Sequence, residues 1–452
     1  MNTEAVATPA TVSPWRSHGL LLLLAMMYAD NFVGRQIVAV MIEPIKHEFG
    51  ASDTSMGLIS GLAFAAVFAV LGLPAGRLAD RLPRIGLLAV SCLFWGIATI
   101  LCGLTGSFML LVLARMAVAV AEAPAAPTAL SLIADLYPPQ RRAFAISVFT
   151  AAPTFAAIIA LSLGAWLVGT YGWRTSFIIV GLPALLIGAL LAFFGREPRR
   201  GRWDGASSQA SPLDMRSTVT ALWAEPAVRH LILASATATM GGTAFGMWNA
   251  TFLVRSHGLA LQHAGLLTGL IGGTCAGFGV MFAGWLVDRG GDRGARWRLR
   301  IPLAGHLVGL LSLAVYLFWP LDILMVIGGV PIPEAMLWCG LHSFVSVWWL
   351  GPSFALLTTF TGPRNRAVAL ALQTLLSTLL GVGVGPVLTG LLSDFLQPAF
   401  GNEALRHALL LSCCTAGAAI VLLDRLRRHL NRGGRAATAA DADTRSVGAP
   451  TR

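Results

Sequence analysis

Four charged side chains sit inside otherwise apolar runs of this sequence: Asp30 and Arg35 in "YADNFVGRQ", and Arg115 and Glu122 in "LARMAVAVAEA". A charge near the bilayer centre costs at least ~2.5 kcal/mol, so such groups face a cavity or a partner. A carboxylate at that depth can take up and release a proton, and an arginine can hold an anion. Arg115 and Glu122 are seven residues apart, within about 20° of one helical face and ~10 Å along its axis, so both can line one cavity wall. Asp30 lies ~15 Å into its run. Arg35 leans back over the face that carries Asn31, because helical side chains tilt toward the N-terminus. The two runs travel in opposite directions, which puts Arg35 and Glu122 at depths that allow them to pair. The plainer reading is an ion pair that only holds two helices together. A proton relay is the stronger one, since membrane carboxylates that change protonation are how such relays work.

The elements that position these groups are membrane helices. Of 452 residues, 56% are hydrophobic and only 12% charged, against roughly 25% charged in soluble domains. Apolar runs of the ~20 residues that cross a bilayer recur from end to end. Twelve spans are expected, near 20–42, 55–79, 85–105, 108–135, 142–170, 174–194, 228–254, 262–287, 300–320, 335–361, 365–393 and 403–424. A β-barrel would instead alternate over ~10-residue strands. The first run is long enough to stay as an anchor rather than a cleaved signal. Cys92, Cys102, Cys275, Cys339, Cys413 and Cys414 fall inside spans without metal or disulfide spacing; no metal and no cofactor are expected.

The formal charge of +11 is a topology signal rather than a nucleic-acid signal. Arg81, Arg84, Arg141, Arg142, Arg196, Arg199, Arg200, Arg202, Arg289, Arg293, Arg296, Arg298, Arg364, Arg366, Arg425, Arg427 and Arg428 all follow even-numbered spans. The alternate loops carry few, among them Lys46, Arg174 and Arg255. The positive-inside bias therefore puts both termini in the cytoplasm.

The chain divides into a segment 1–19, a six-helix bundle 20–194, a polar linker 195–227, a second bundle 228–424 and a basic tail 425–452 whose composition predicts disorder. The bundles echo each other. Gly57, Gly61, Gly76, Asp80 and Arg81 recur 208 residues later as Gly265, Gly269, Gly284, Asp288 and Arg289, and "PQRRAFA" (139–145) is matched by "PRNRAVA" (363–369). Repeated halves are how many transporters build a midplane site that opens to alternate sides. The fold class expected is all-α integral membrane, with twelve helices in two pseudo-symmetric bundles of six.

The G-x-L-x-D-R ends of spans 2 and 8 resemble the loop signature of the major facilitator superfamily. The first half is similar to its Spinster branch through "NFVGRQIV…EPIKHEF", "SDTSMGLISGLAFA", "GLPAGRLADR", "LARMAVAVAEA", "SLIADLYPPQRRAFA" and "YGWRTSF". The resemblance implies transport, with lysolipids, sphingoid phosphates or other amphipathic anions as substrates. It implies coupling or gating at Glu122, and a cytoplasmic gate at Asp80, Arg81, Asp288 and Arg289. The family pattern N-F/Y-x-D-R has lost its aspartate to Gly34. Asp30, one turn deeper, either replaces it or hydrogen-bonds locally.

In the second half, Asn249, His342, Trp348, Gln373 and Thr378 are candidate cavity residues with Asn31 of span 1. Each also reads as packing or as interfacial anchoring. The expected partners are a small-molecule or lipid substrate, a proton as coupling ion and membrane lipids; a monomer in the inner (plasma) membrane is expected. The alternatives are a small-carboxylate permease, a drug exporter, an intramembrane protease or a transport-dead sensor. The span 5 stretch "TAAPTFAAIIALSLGAW" lacks the G-x-x-x-G-P pattern of drug antiporters, and no G-x-G-D sequence supports a protease.

Overall fold

The computed structural model describes residues 14–203, 215–290, 294–362 and 365–447. Of the sequence expectations, Arg293, Arg364, Pro363 and the extreme termini lie outside them, as does the linker stretch 204–214. Nine helical stretches among the described residues are long and apolar enough to cross a membrane. One of them, Pro139–Phe194, is two spans, because the chain reverses at Gly172 with φ 78°, a conformation open to glycine without a Cβ penalty. The helices Pro226–His257 and Leu410–Val447 complete twelve spans in two sets of six. Two further elements were not expected. The linker carries a helix, Met215–Ala224. The last helix continues to Val447, where composition predicts disorder but Ala and Arg favour helix.

Several spans are broken where function is expected. Span 1 is two helices, Pro14–Gln36 and Val38–Phe49. Span 4 is Phe108–Glu122 and Ala125–Leu136, parted at Pro124, which lacks an N–H to continue the ladder. Span 2 passes through a π-helical turn at Leu58–Leu62, span 8 through one at Thr268–Gly273 and span 11 through one at Ser377–Val384. Such turns concentrate at functional positions.

The repeated glycines explain two of them. A Cβ on Gly57 would lie 2.5 Å from the Pro386 carbonyl oxygen, and one on Gly61 2.6 Å from that of Val382. On Gly265 it would lie 2.7 Å from the Leu161 oxygen, and on Gly269 3.0 Å from that of Ile158. Spans 2 and 11, and spans 8 and 5, therefore meet backbone to backbone, as small residues permit in membranes. These seams lie at the end opposite the basic loops, the outer end by the charge rule. A buried apolar core runs from the first half into the second through Phe245, Trp248, Phe252 and Leu405. The inner end of the second half has a separate cluster around Leu231, Leu299, Leu357 and Leu423. The halves share a core toward the end opposite the basic loops, and at the other end the second half has a core of its own.

The first linker residues are docked rather than free. Arg84, 1% exposed, donates to Asp135 at 2.5 Å, to Glu197 at 2.9 Å and to the Pro198 carbonyl at 3.1 Å. Arg200 donates to the carbonyls of Ala79, Asp80 and Leu82 at the end of span 2, where a cation favours the helix C-terminus. Removing Arg84 strands a buried carboxylate, a loss worth ~3–5 kcal/mol. Arg84→Ala is expected to lower the midpoint of thermal unfolding in detergent, with Arg84→Lys recovering part of it.

Candidate functional site

The break in span 1 lies immediately after Gln36 and the break in span 4 immediately after Glu122. Between them, Arg35 Nε donates to Glu122 Oε2 at 2.8 Å, across 87 residues of sequence. Glu122 is 1% exposed at its side chain, whereas Arg35 keeps 25%, so the arginine side chain is only partly enclosed. The rings of Phe64, Phe32 and Phe68 lie 4.4, 5.2 and 5.2 Å from its central carbon. Cation–π attraction of ~0.5–2 kcal/mol per contact holds the charge in place.

Arg115 is fully buried, and its Nη1 donates to the Gly34 carbonyl at 3.1 Å. A backbone oxygen thus stands at the position whose side-chain acid is missing. Asp30 turns toward span 3 and accepts from Trp95 Nε1 at 3.1 Å; neither arginine reaches it in this conformation. The local hydrogen bond is the arrangement present. Asn31 is 2% exposed and lies within electrostatic reach of Glu122, though its amide makes no hydrogen bond of ordinary geometry among the described residues.

Across the molecule, a cavity of about 320 Å³ is lined mostly by the second half, and Gln36, next to Arg35, and Leu161 join it from the first. Asn249 and His342, two of the candidate residues, line it together with Thr268 and His306. Tyr316 donates to Asn249 Oδ1 at 2.6 Å and Asn249 donates to Thr268 at 3.3 Å, which fixes the amide. His342 Nδ1 lies 2.9 Å from the Gly309 carbonyl, which can only accept, so Nδ1 carries the proton.

The other second-half candidates lie elsewhere. Gln373 is 1% exposed and bonds Ser235 and Ser353 at 3.1 and 3.2 Å, tying spans 7, 10 and 11 together inside the bundle. Trp348 packs on Phe282 and Phe344, and Trp349 takes the cavity wall instead. Helical periodicity cannot choose between adjacent tryptophans where the span is broken between Ser346 and Leu350. Thr378 lies in the π turn of span 11 and is not among the cavity-lining residues.

The outer end carries a lock that sequence reasoning missed. Asp53 accepts two hydrogen bonds from Arg255, at 2.7 and 2.8 Å, one from Lys46 at 2.5 Å and one from Ser393 at 2.6 Å. Arg255 also bonds Glu43. Asp394, at the end of span 11, accepts from the backbone N–H groups of Asp53 and Thr54 at 2.9 and 2.8 Å. A carboxylate from one half thus caps the first helical turn of the other, where the N–H groups have no intrahelical partner. The signal was in the charge count: Lys46, Arg174 and Arg255 are outer-loop exceptions to the positive-inside bias, and each makes an ion pair. At the inner end, Asp80, Arg81, Asp288 and Arg289 are all exposed. The two halves are thus tied together at the end opposite the basic loops, and the residues of the expected gate are exposed at the other end. Among the described residues, no group of three or more His, Cys, Asp or Glu side chains is placed to hold a metal ion.

Two bundles of six that share a core at one end, with an ion pair where spans 1 and 4 are broken, fit the architecture of an alternating-access transporter. The family model of the Major Facilitator Superfamily matches residues 24–386, and the chain belongs to that superfamily as a secondary transporter of its Spinster-like kind. It is 32% identical over 401 residues to an MFS-type efflux pump of Mycolicibacterium smegmatis, covering 88% of each chain. It is 29% identical over 472 residues to human protein spinster homolog 1, covering 96% of this chain and 87% of that protein. A crystal structure of a bacterial homologue of the human lysosomal transporter Spinster, inward-facing and unoccupied, superposes with a TM-score of 0.81 at 25% identity, over 92% of this chain and 98% of that one.

Proposed function

We propose that this chain is a proton-coupled transporter that moves an amphipathic organic anion, such as a lysophospholipid or sphingoid phosphate, across the inner plasma membrane, as a monomer with both termini cytoplasmic. The observation that carries the reading is the Arg35–Glu122 pair, whose acid is buried and whose cation is only partly enclosed, among three phenyl rings. An entering anion competes with Glu122 for Arg35. A proton on Glu122 weakens its hold on Arg35 and favours the anion; loss of the proton restores the pair and favours release. One proton moved through 100 mV supplies ~2.3 kcal/mol for the cycle. The facing cavity adds hydroxyl, amide and apolar surface, and no acidic or basic side chain except its two histidines, which suits the uncharged body of an amphiphile.

Export of small amphipathic drugs is the second reading, favoured by the similarity to the mycolicibacterial efflux pump. A thermal-shift screen of the purified protein with lysolipids, bile-acid-like amphiphiles and aromatic acids tests the substrate class. Stabilisation by lysolipids or bile-acid-like amphiphiles is expected. Stabilisation by small hydrophilic carboxylates alone would sink the amphiphile reading.

A further inference from the structure

Between spans 9 and 10 the chain forms a β-hairpin, Ile323–Ile327 with Val330–Pro333, paired antiparallel with Ile327 opposite Val330. Gly328 and Gly329 turn it, with φ of 58° and 83°, the positive values that a two-residue hairpin turn requires. The hairpin is closed at its base by Glu334 N–H donating to the Asp322 carbonyl at 2.9 Å. Between those two acids every residue is uncharged.

A two-stranded ribbon in water hides at least one of its faces against a core. This one hides neither face of its first strand: Ile323, Leu324, Met325, Val326 and Ile327 are between 42% and 62% exposed. Alternate residues of a strand point to opposite sides, so apolar surface is offered in both directions.

The hairpin does not stand out into solvent. Leu324, Ile332 and Pro333 form one wall of an apolar crevice of about 360 Å³; its other walls are Ile271 and Cys275 of span 8 and the face of span 10 that includes Gly340 and Phe344. Phe344 lies six residues, or ~9 Å, along span 10 from Trp338, and the Trp338 ring is 5.5 Å from that of Trp319 at the end of span 9. Paired tryptophans at span ends mark the membrane interface. The crevice therefore reaches from the tryptophan level into the hydrocarbon, and the hairpin folds back along it.

What covers this surface follows from its continuity. Leu337 and Leu341 also line the crevice and are 63% and 39% exposed, apolar surface of a membrane span that its own bundle leaves uncovered. The volume is within the ~300–1,000 Å³ of ordinary small-molecule pockets. We propose that the hairpin dips into the outer leaflet and that the crevice behind it holds an acyl chain of a membrane lipid. The site lies outside the ionic pair and the central cavity, and stands whatever the transported substrate is.

The test uses the full chain in vesicles of phosphatidylethanolamine and phosphatidylglycerol, with a trace of phospholipid carrying a diazirine at the end of one acyl chain. After irradiation, peptides covering 271–275, 324–333 and 336–344 are expected to be labelled well above the exposed face of span 3 around Val90, Phe94 and Leu101, which serves as the bulk-lipid reference. In the double variant Leu324→Asp, Ile332→Asp the crevice label is expected to fall about tenfold, equivalent to ~1.4 kcal/mol, while the span 3 label is unchanged and so reports an intact fold. Equal labelling of crevice and span 3 would overturn the proposal. So would crosslinks from the hairpin to a second copy or to a soluble protein in place of lipid. If the double variant loses the span 3 label as well, the single variant Leu324→Asp is read in its place by the same comparison.

Discussion

Glu122→Gln is expected to lower transport in liposomes by roughly two to three orders of magnitude and to flatten its dependence on an imposed pH gradient. Truncating one partner of a buried, hydrogen-bonded charge pair costs ~2–5 kcal/mol, much of it from the charge left unpaired. Here that charge is Arg35, which sits among Phe32, Phe64 and Phe68 and has Glu122 as its described carboxylate partner. A glutamine still accepts a hydrogen bond but cannot exchange a proton, so the variant stands in for the protonated acid: Arg35 stays available and holds the anion, while release and coupling, which need the charged pair to re-form, are lost. Asp30→Asn provides the contrast. An asparagine oxygen accepts from Trp95 as Asp30 does at 3.1 Å, so Asp30→Asn is expected to transport with its pH dependence intact. The reverse pattern, a flat profile in Asp30→Asn and a normal one in Glu122→Gln, would move the coupling role to Asp30.

Asp53→Asn is expected to open the outer mouth. Asp53 is 1% exposed and takes four side-chain hydrogen bonds from Arg255, Lys46 and Ser393. Breaking a buried pair on one side costs ~3–5 kcal/mol, and ~5.5 kcal/mol is what swings a two-state equilibrium from 1:99 to 99:1. A conformation that is almost wholly closed outside should therefore become a mixture with a substantial outward-open share. Distances between spin labels on the outer ends of spans 1 and 7 report it directly: a second, longer population is expected in Asp53→Asn, and a smaller one in Asp394→Ala, which loses the cap on span 2. Unchanged distance distributions in both would remove the lock from the mechanism.

The twelve spans, the duplicated halves and the depth match of Arg35 with Glu122 were legible because each rests on a one-dimensional quantity: run length, offset, or residues counted along a helix. What stayed hidden depends on where helices break and which faces meet. The break between Ser346 and Leu350 accompanies the exchange of Trp348 for Trp349 at the cavity, and Gln373 points into its own bundle rather than between bundles. Asp53 and Asp394 are 341 residues apart, and nothing local announces that one caps the helix containing the other. His306 likewise reads as an ordinary apolar-span histidine until span 9 is packed beside span 10. The hairpin was missed because "ILMVIGGVPIP" is short and falls between the expected spans 300–320 and 335–361, where it reads as a connecting loop.

The glycine seams bear on how such a chain came to exist. Gly57 with Gly61, and Gly265 with Gly269, perform the same task at equivalent places in the two halves: each admits the backbone of a helix from the opposite half. Two identical six-helix subunits related by a twofold axis would meet through that one glycine pair used twice, and would seal their shared mouth without any help from the charged cluster. The ionic lock, by contrast, is lopsided, since its central acid, Asp53, has Leu261 208 residues later in place of a carboxylate. Closure by close packing is thus compatible with a symmetric ancestor, whereas closure by charge requires that the gene had already doubled and the copies had begun to diverge.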